Sequence, residues 1–220
     1  MILPDRQPGS PLYKVLFYEL SRLTVWLGFK IVFRIKGIDA HNVPKSGPVL
    51  LASNHESYLD PPTIGVLLHH RHLEFVARKS LFKGFFGHII SALNAIPLKD
   101  DSGDAGAIRE VLRRLELGRA VLIFPEGSRT HDGELKEFKR GIALLVKKAR
   151  CPVVPVAIAG AYERWPTGGK CRFTGPRVRV KYGAPISYDE LMKDGADAAL
   201  DRLRREVARL REELHSREHH

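Results

Sequence analysis

Val49-Leu50-Leu51-Ala52-Ser53-Asn54-His55-Glu56-Ser57-Tyr58-Leu59-Asp60-Pro61-Pro62 passes from an apolar run through a polar loop into a proline pair. Residues 49–53 are too few for a helix and read as a short buried strand. Pro61 and Pro62 are tolerated in the first turn of a helix, where backbone N–H groups lack a partner inside the helix. A helix is therefore expected there, reaching about His69. This strand–loop–helix unit recurs downstream. Strands are expected at 74–77, 95–98, 120–124 and 153–158, with a last one where Val178, Val180 and Tyr182 alternate with basic residues. Helices are expected at 81–93, at 105–117 with Gly118 as its stop, and at 138–150. The alternation predicts an α/β sandwich, with a largely parallel or mixed central sheet flanked by helices.

Two amphipathic segments bracket this core. Leu12, Leu16, Leu20, Leu23, Leu27 and Ile31 recur at helical spacing and predict a helix over 12–28. Ile31, Phe33 and Ile35 then alternate, suggesting a strand ending at Gly37. Ser187 with Glu190 is a capping-box signature. It is expected to open a charged C-terminal helix with the seam Leu200, Leu203, Val207, Leu210 and Leu214. The chain is accordingly divided into an N-terminal membrane-associating helical segment, 1–35, and one globular domain, 36–220.

The 220 residues carry a formal charge of +11, which points to a polyanionic partner: nucleic acid, an anionic membrane surface or a phosphorylated substrate. Two cysteines are too few for a disulfide framework or a structural zinc site. Neither a secretory signal nor an uncharged run of ~20 apolar residues is visible. Nucleic acid is disfavoured, because no aromatic and basic residues interleave on a recognition surface. His69, His70 and His72 lack acidic neighbours at ligand spacing and, with Arg71 among them, read as no metal site. Lys139, Arg140, Lys147 and Lys148 read as a solvated helix face.

The chemistry begins at His55, at the end of a strand, where a rigid sheet positions a loop. Asp60, five residues on, is close enough to turn back onto the imidazole, fix its tautomer and stabilise the imidazolium. No G-x-S-x-G elbow occurs, and neither cysteine lies near His55 in sequence. A base without a protein nucleophile suggests that the substrate brings its own hydroxyl. A second polar turn, Phe124-Pro125-Glu126-Gly127-Ser128-Arg129-Thr130, also follows an apolar strand. Arg129 offers a planar fork for phosphate or carboxylate. Gly127 permits close backbone approach. Glu126 is suited to accept bonds from a substrate hydroxyl or from the turn's own N–H groups.

His55-x-x-x-x-Asp60 followed by Phe124-Pro125-Glu126-Gly127-Ser128-Arg129 closely resembles the glycerolipid acyltransferases, and within them the bacterial 1-acylglycerol-3-phosphate acyltransferases. Asn94-Ala95-Ile96-Pro97-Leu98-Lys99 and Val153-Val154-Pro155-Val156-Ala157-Ile158 match two weaker blocks in the same order. Lys99 departs from the pattern, where arginine is usual. The resemblance implies a glycerol-3-phosphate acyltransferase-like fold and an acyl group passing from acyl-CoA or acyl-carrier protein to 1-acylglycerol 3-phosphate. His55 and Asp60 would be catalytic. Lys99, Glu126, Gly127, Ser128 and Arg129 would bind the acceptor. No cofactor beyond the thioester co-substrate is expected, and no metal. Backbone N–H groups near 54–57 and 124–127 are the candidate oxyanion donors. Glycerol 3-phosphate, another lysophospholipid or an amino-lipid are alternative acceptors, and water would make a thioesterase. Amphiphilic substrates imply a peripheral or monotopic protein at the cytoplasmic face of the membrane. Residues 12–33 would either lie in the interface, with Trp26 near the headgroups and Lys14 and Arg22 towards anionic lipid, or pack on the sheet without lipid contact.

Overall fold

A computed structural model describes residues 12–98 and 103–216. Five parallel strands form the larger part of a seven-stranded mixed sheet. They are β2 (Val49–Ser53), β3 (Leu73–Arg78), β4 (Ala95–Leu98), β5 (Ala120–Ile123) and β6 (Val153–Ala159). The edge pair, β1 (Lys36–Ile38) and β7 (Arg179–Tyr182), joins by β7 running antiparallel to β6, giving the order β1-β7-β6-β2-β5-β3-β4. Alternation along β2 sorts the two faces. Val49 and Leu51 pack with α1 (Leu12–Val32), α2 (Asp60–Leu67) and α3 (Gly84–Ala92). Leu50 and Ala52 face α4 (Gly103–Glu116), α5 (Arg140–Ala149), α7 (Tyr188–Met192) and α8 (Ala196–Ser216). A four-residue helix, α6 (Ala161–Arg164), follows β6 directly. With helices on both faces and apolar side chains on both sides of each central strand, the α/β sandwich is as expected.

Both ends of the chain differ from their sequence reading. The strand expected over Ile31, Phe33 and Ile35 is instead the end of a helix and a turn. α1 runs to Val32, Phe33 N–H still reaches Phe29 O at 2.9 Å, and Arg34 reverses the chain at φ 53°. Phe33 and Ile35 are buried either way, so their spacing could not separate the two. At the other end the capping box works, with Ser187 Oγ accepting from Glu190 N–H at 3.2 Å. It opens the short α7, and the chain breaks at Gly195 (φ 91°) before α8 begins. The α8 seam Leu200, Leu203, Val207, Leu210 and Leu214 is buried throughout.

The expected apolar seam of α1 faces outward. Leu12, Leu16, Leu20, Leu23, Leu27 and Ile31 each keep between 52% and 71% exposure, and Tyr13 and Phe17 extend the stripe. The helix is held by its other side, where Tyr18 is fully buried and Val25, Trp26, Phe29 and Val32 pack on the core. Trp26 is thus partly buried against the core. Arg22 is turned inward as well, bonding Glu19 at 2.8 Å and meeting His69 Nδ1 at 2.9 Å. Nothing is described of the Lys14 side chain. The other two histidines of this cluster have separate partners: His70 meets Val43 O, and His72 meets Glu19 while stacking on Tyr18. Among the described residues no group of three or more metal-type ligands forms.

Candidate active site

The sheet order makes neighbours of the two polar motifs. β2 and β5 pair in parallel with Ala52 opposite Ile123, so the chain after each strand emerges at the same end. β6, on the other flank of β2, delivers α6 there too. Such strand ends, where several loops converge over a rigid sheet, are where α/β folds place their chemistry.

Asp60 is the first residue of α2 and turns its carboxylate back into the loop. Its Oδ2 accepts from Glu56 N–H at 2.6 Å and Ser57 N–H at 2.8 Å, and lies 2.7 Å from His55 Nδ1. An oxygen that already accepts two backbone bonds takes a further donor, so the imidazole proton belongs on Nδ1 and the lone pair on Nε2. Asp60 is fully buried, whereas the His55 side chain keeps 17% exposure and stacks on Phe124, with centroids 3.9 Å apart. Burial, followed by the charges of Arg129 and Lys136, holds the His55 imidazolium down to about pKa 3. Burial pushes the Asp60 carboxyl up, against the Ser57 and Glu56 N–H bonds and the Arg129 charge. The imidazole is thus a free base at neutral pH, as a general base must be. Labelled imidazole resonances should show His55 neutral down to pH 5, well below the usual imidazole value of about 6.5. A midpoint at that usual value would contradict this electrostatic reading.

Glu126, buried to 3% exposure, ties the two motifs together. Oε1 accepts from His55 N–H at 2.7 Å and Oε2 from Lys136 N–H at 3.1 Å. Thr130 N–H in turn donates to His55 O at 2.9 Å, so the turn grips both backbone groups of the histidine. The N–H groups that Glu126 accepts from therefore lie outside its own turn, on His55 and Lys136. Burial, opposed by these bonds, lifts its carboxyl to about 7. Gly127 is exposed with φ 70°, a left-handed conformation that suits glycine. Ser128 is exposed and its Oγ accepts from Lys136 Nζ at 2.6 Å. Arg129 lies with Cζ 3.4 Å over the Tyr58 ring, and its buried Nη1 has no hydrogen-bond partner, leaving a donor for an anion. Lys99 lies outside the described residues.

Several contributors were not singled out from sequence. Asn54 exchanges two 2.9 Å bonds with the Ile158 backbone, extending the sheet's pairing through a side chain. Glu56 Oε1 accepts from Ala161 N–H and Tyr162 N–H, fixing α6 over the loop; burial, with Asp60 beside it, pushes this carboxyl well up. Phe124 supplies the floor for the imidazole, and Lys136 adds positive charge beside it. Polar neighbours of His55 were the available signal for Asn54 and Glu56, whereas Lys136 had none. Of the candidate oxyanion donors, the N–H groups of His55, Glu56 and Ser57 are engaged by carboxylates, and Gly127 N–H by Phe124 O.

The sheet thus sets a histidine–carboxylate pair against a cationic turn at one end of its parallel strands. A profile of the acyltransferase family matches residues 34–159, and the chain belongs to that family. It is 29% identical over 194 residues to 1-acyl-sn-glycerol-3-phosphate acyltransferase alpha of Bos taurus, covering 87% of this chain and 66% of that protein. The chain thus spans just under two thirds of that relative's length. The 1-acyl-sn-glycerol-3-phosphate acyltransferase of Bacillus subtilis (strain 168) is 26% identical over 162 residues, covering 71% of this chain and 78% of that one. Among solved structures, the 1-acyl-sn-glycerophosphate (LPA) acyltransferase PlsC of Thermotoga maritima matches with a TM-score of 0.67 and 26% identity. That match covers 89% of this chain and 81% of that chain.

Proposed function

We propose that the protein transfers a fatty acyl group from a thioester, acyl-CoA or acyl-carrier protein, to the sn-2 hydroxyl of 1-acylglycerol 3-phosphate, giving phosphatidic acid. The observation that carries this reading is the 2.7 Å His55–Asp60 pair, gripped by the turn that presents Arg129. His55 Nε2 takes the proton of the acceptor hydroxyl as its oxygen bonds to the thioester carbonyl carbon. The tetrahedral intermediate then expels the thiolate, which recovers the proton from the imidazolium. The products are the ester and the free thiol, and Asp60 stabilises the transient cation. No cofactor enters this scheme.

Arg129 neutralises the acceptor phosphate through its unpartnered Nη1 donor, with Lys99 as the second cation. Glu126 acts through His55 and Lys136, as a brace, and Gly127 and Ser128 shape the approach to the phosphate. Holding the acceptor through its phosphate keeps the hydroxyl at attack distance, an entropic advantage of up to ~7–11 kcal/mol. Arg129→Ala is expected to raise the acceptor KM at least about tenfold, the scale of one charged hydrogen bond, and to change kcat less. Steady-state kinetics with purified protein, acyl thioester and 1-acylglycerol 3-phosphate checks this. An unchanged KM for the phosphorylated acceptor would remove Arg129 from the phosphate subsite.

The acceptor resides in a bilayer, and the outward stripe of α1 supports docking as a peripheral or monotopic protein at the cytoplasmic face of the membrane. No helix among the described residues is long and apolar enough to cross a membrane. A stripe of large apolar side chains lying flat at the headgroup boundary is the arrangement such a helix fits.

A further inference from the structure

The chain between α6 and β7 lies at the site end of the sheet and is fastened on both sides. Near its start Ser57 Oγ donates to Trp165 O at 2.8 Å, and Thr167 Oγ1 to Thr130 O at 2.7 Å. Near its end Arg34 Nη2 donates to Gly175 O at 2.8 Å and Val178 N–H to Phe33 O at 3.1 Å, joining it to the residues that follow α1. Arg164, buried to 1% exposure, holds it from beneath through a 2.7 Å bond from Nε to Pro176 O. On this fixed support Phe173 is 72% exposed. Lys170, Arg172 and Arg177 around it are exposed as well, as are Lys30 and Arg34 on the adjoining end of α1. The sequence has no Asp or Glu between Glu163 and Asp189.

We propose that loop 166–177 is a second membrane-docking element, seating Phe173 at the headgroup–acyl boundary and its basic neighbours on anionic lipid phosphates. An exposed apolar residue by itself is ordinary. This one shares its loop with three exposed cations, and the loop is tied to the residues that follow an apolar stripe ending at Ile31, itself 71% exposed. A polyanion held through its charges alone would use the cations and leave the ring in water. One stripe along α1 fixes a line on a bilayer and leaves rotation about it free. A contact from a second element, tied to the loops around His55, fixes that rotation and holds the site towards the lipid. The inference rests on the proposed function in that the bilayer is the source of the acceptor.

The test is cosedimentation of the full chain with vesicles of phosphatidylcholine alone or with about one third phosphatidylserine. Lys170→Ala with Arg172→Ala should weaken binding to the anionic vesicles about 25-fold, about fivefold per charge, and leave neutral vesicles unaffected. Phe173→Ser should weaken binding to both. Leu20→Gln with Leu27→Gln reports on α1 separately. Turnover of a short-chain, monomeric acceptor should be unchanged in the loop variants, showing that the site is intact. Wild-type vesicle binding by Phe173→Ser would overturn the proposal. So would charge variants that lose heparin binding and keep vesicle binding, which would mark a general polyanion surface. Loop-dependent vesicle binding without any acyl transfer would remove the proposed function and leave this inference standing.

Discussion

His55→Ala is expected to lower kcat by about 10²–10⁴, the range that a positioned general base supplies. The structure explains why the loss should be chemical rather than structural. Asp60 Oδ2 keeps its bonds from Glu56 N–H and Ser57 N–H when the imidazole is gone. The grip of Glu126 and Thr130 on residue 55 uses backbone atoms alone. The loop therefore retains its shape, and acceptor binding through Arg129 should persist with a similar KM. An unchanged circular dichroism spectrum beside the collapsed rate is the expected pair of observations. Full activity in this variant would exclude His55 as the base.

Asp60→Asn separates the two services the carboxylate performs. An asparagine amide oxygen in the place of Oδ2 can still accept both backbone bonds and the His55 Nδ1 proton, so ring orientation and tautomer survive. What disappears is the negative charge facing the imidazolium in the transition state. Replacing a charge-assisted bond by a neutral one is expected to cost about 1–1.5 kcal/mol, or roughly 5–13-fold in kcat. The acceptor KM should hold. A loss as deep as that of His55→Ala would mean instead that the amide turns its NH₂ towards the ring and displaces the proton from Nδ1.

Apolar period carried the fold far. Residues 49–53 and 95–98 form strands at the expected positions, and the α8 seam is buried at each expected residue. Period failed where a segment is apolar on several sides. α1 buries Tyr18 and packs Phe29 on the core yet exposes Leu20 and Leu27, so its seam could not say which face meets the core. It failed again near Gly195, where one left-handed residue divides a C-terminal segment that reads as continuous helix. The candidate residues His55, Asp60 and Arg129 were legible because they sit in short motifs, and the structure brings them to one end of the sheet. Their supports were not legible. The grip of Glu126 on the His55 backbone exists because β5 lies beside β2 in the sheet, an adjacency that no local spacing encodes.

Direct transfer to an alcohol bound through its phosphate is tested most closely by rapid mixing of wild-type protein with a stoichiometric acyl thioester, following thiol release before and after 1-acylglycerol 3-phosphate is added. The expected trace is flat until the acceptor arrives and then rises in step with phosphatidic acid, with the rise absent in His55→Ala. A burst of one thiol per chain before the acceptor, leaving the acyl group on the protein, would contradict it.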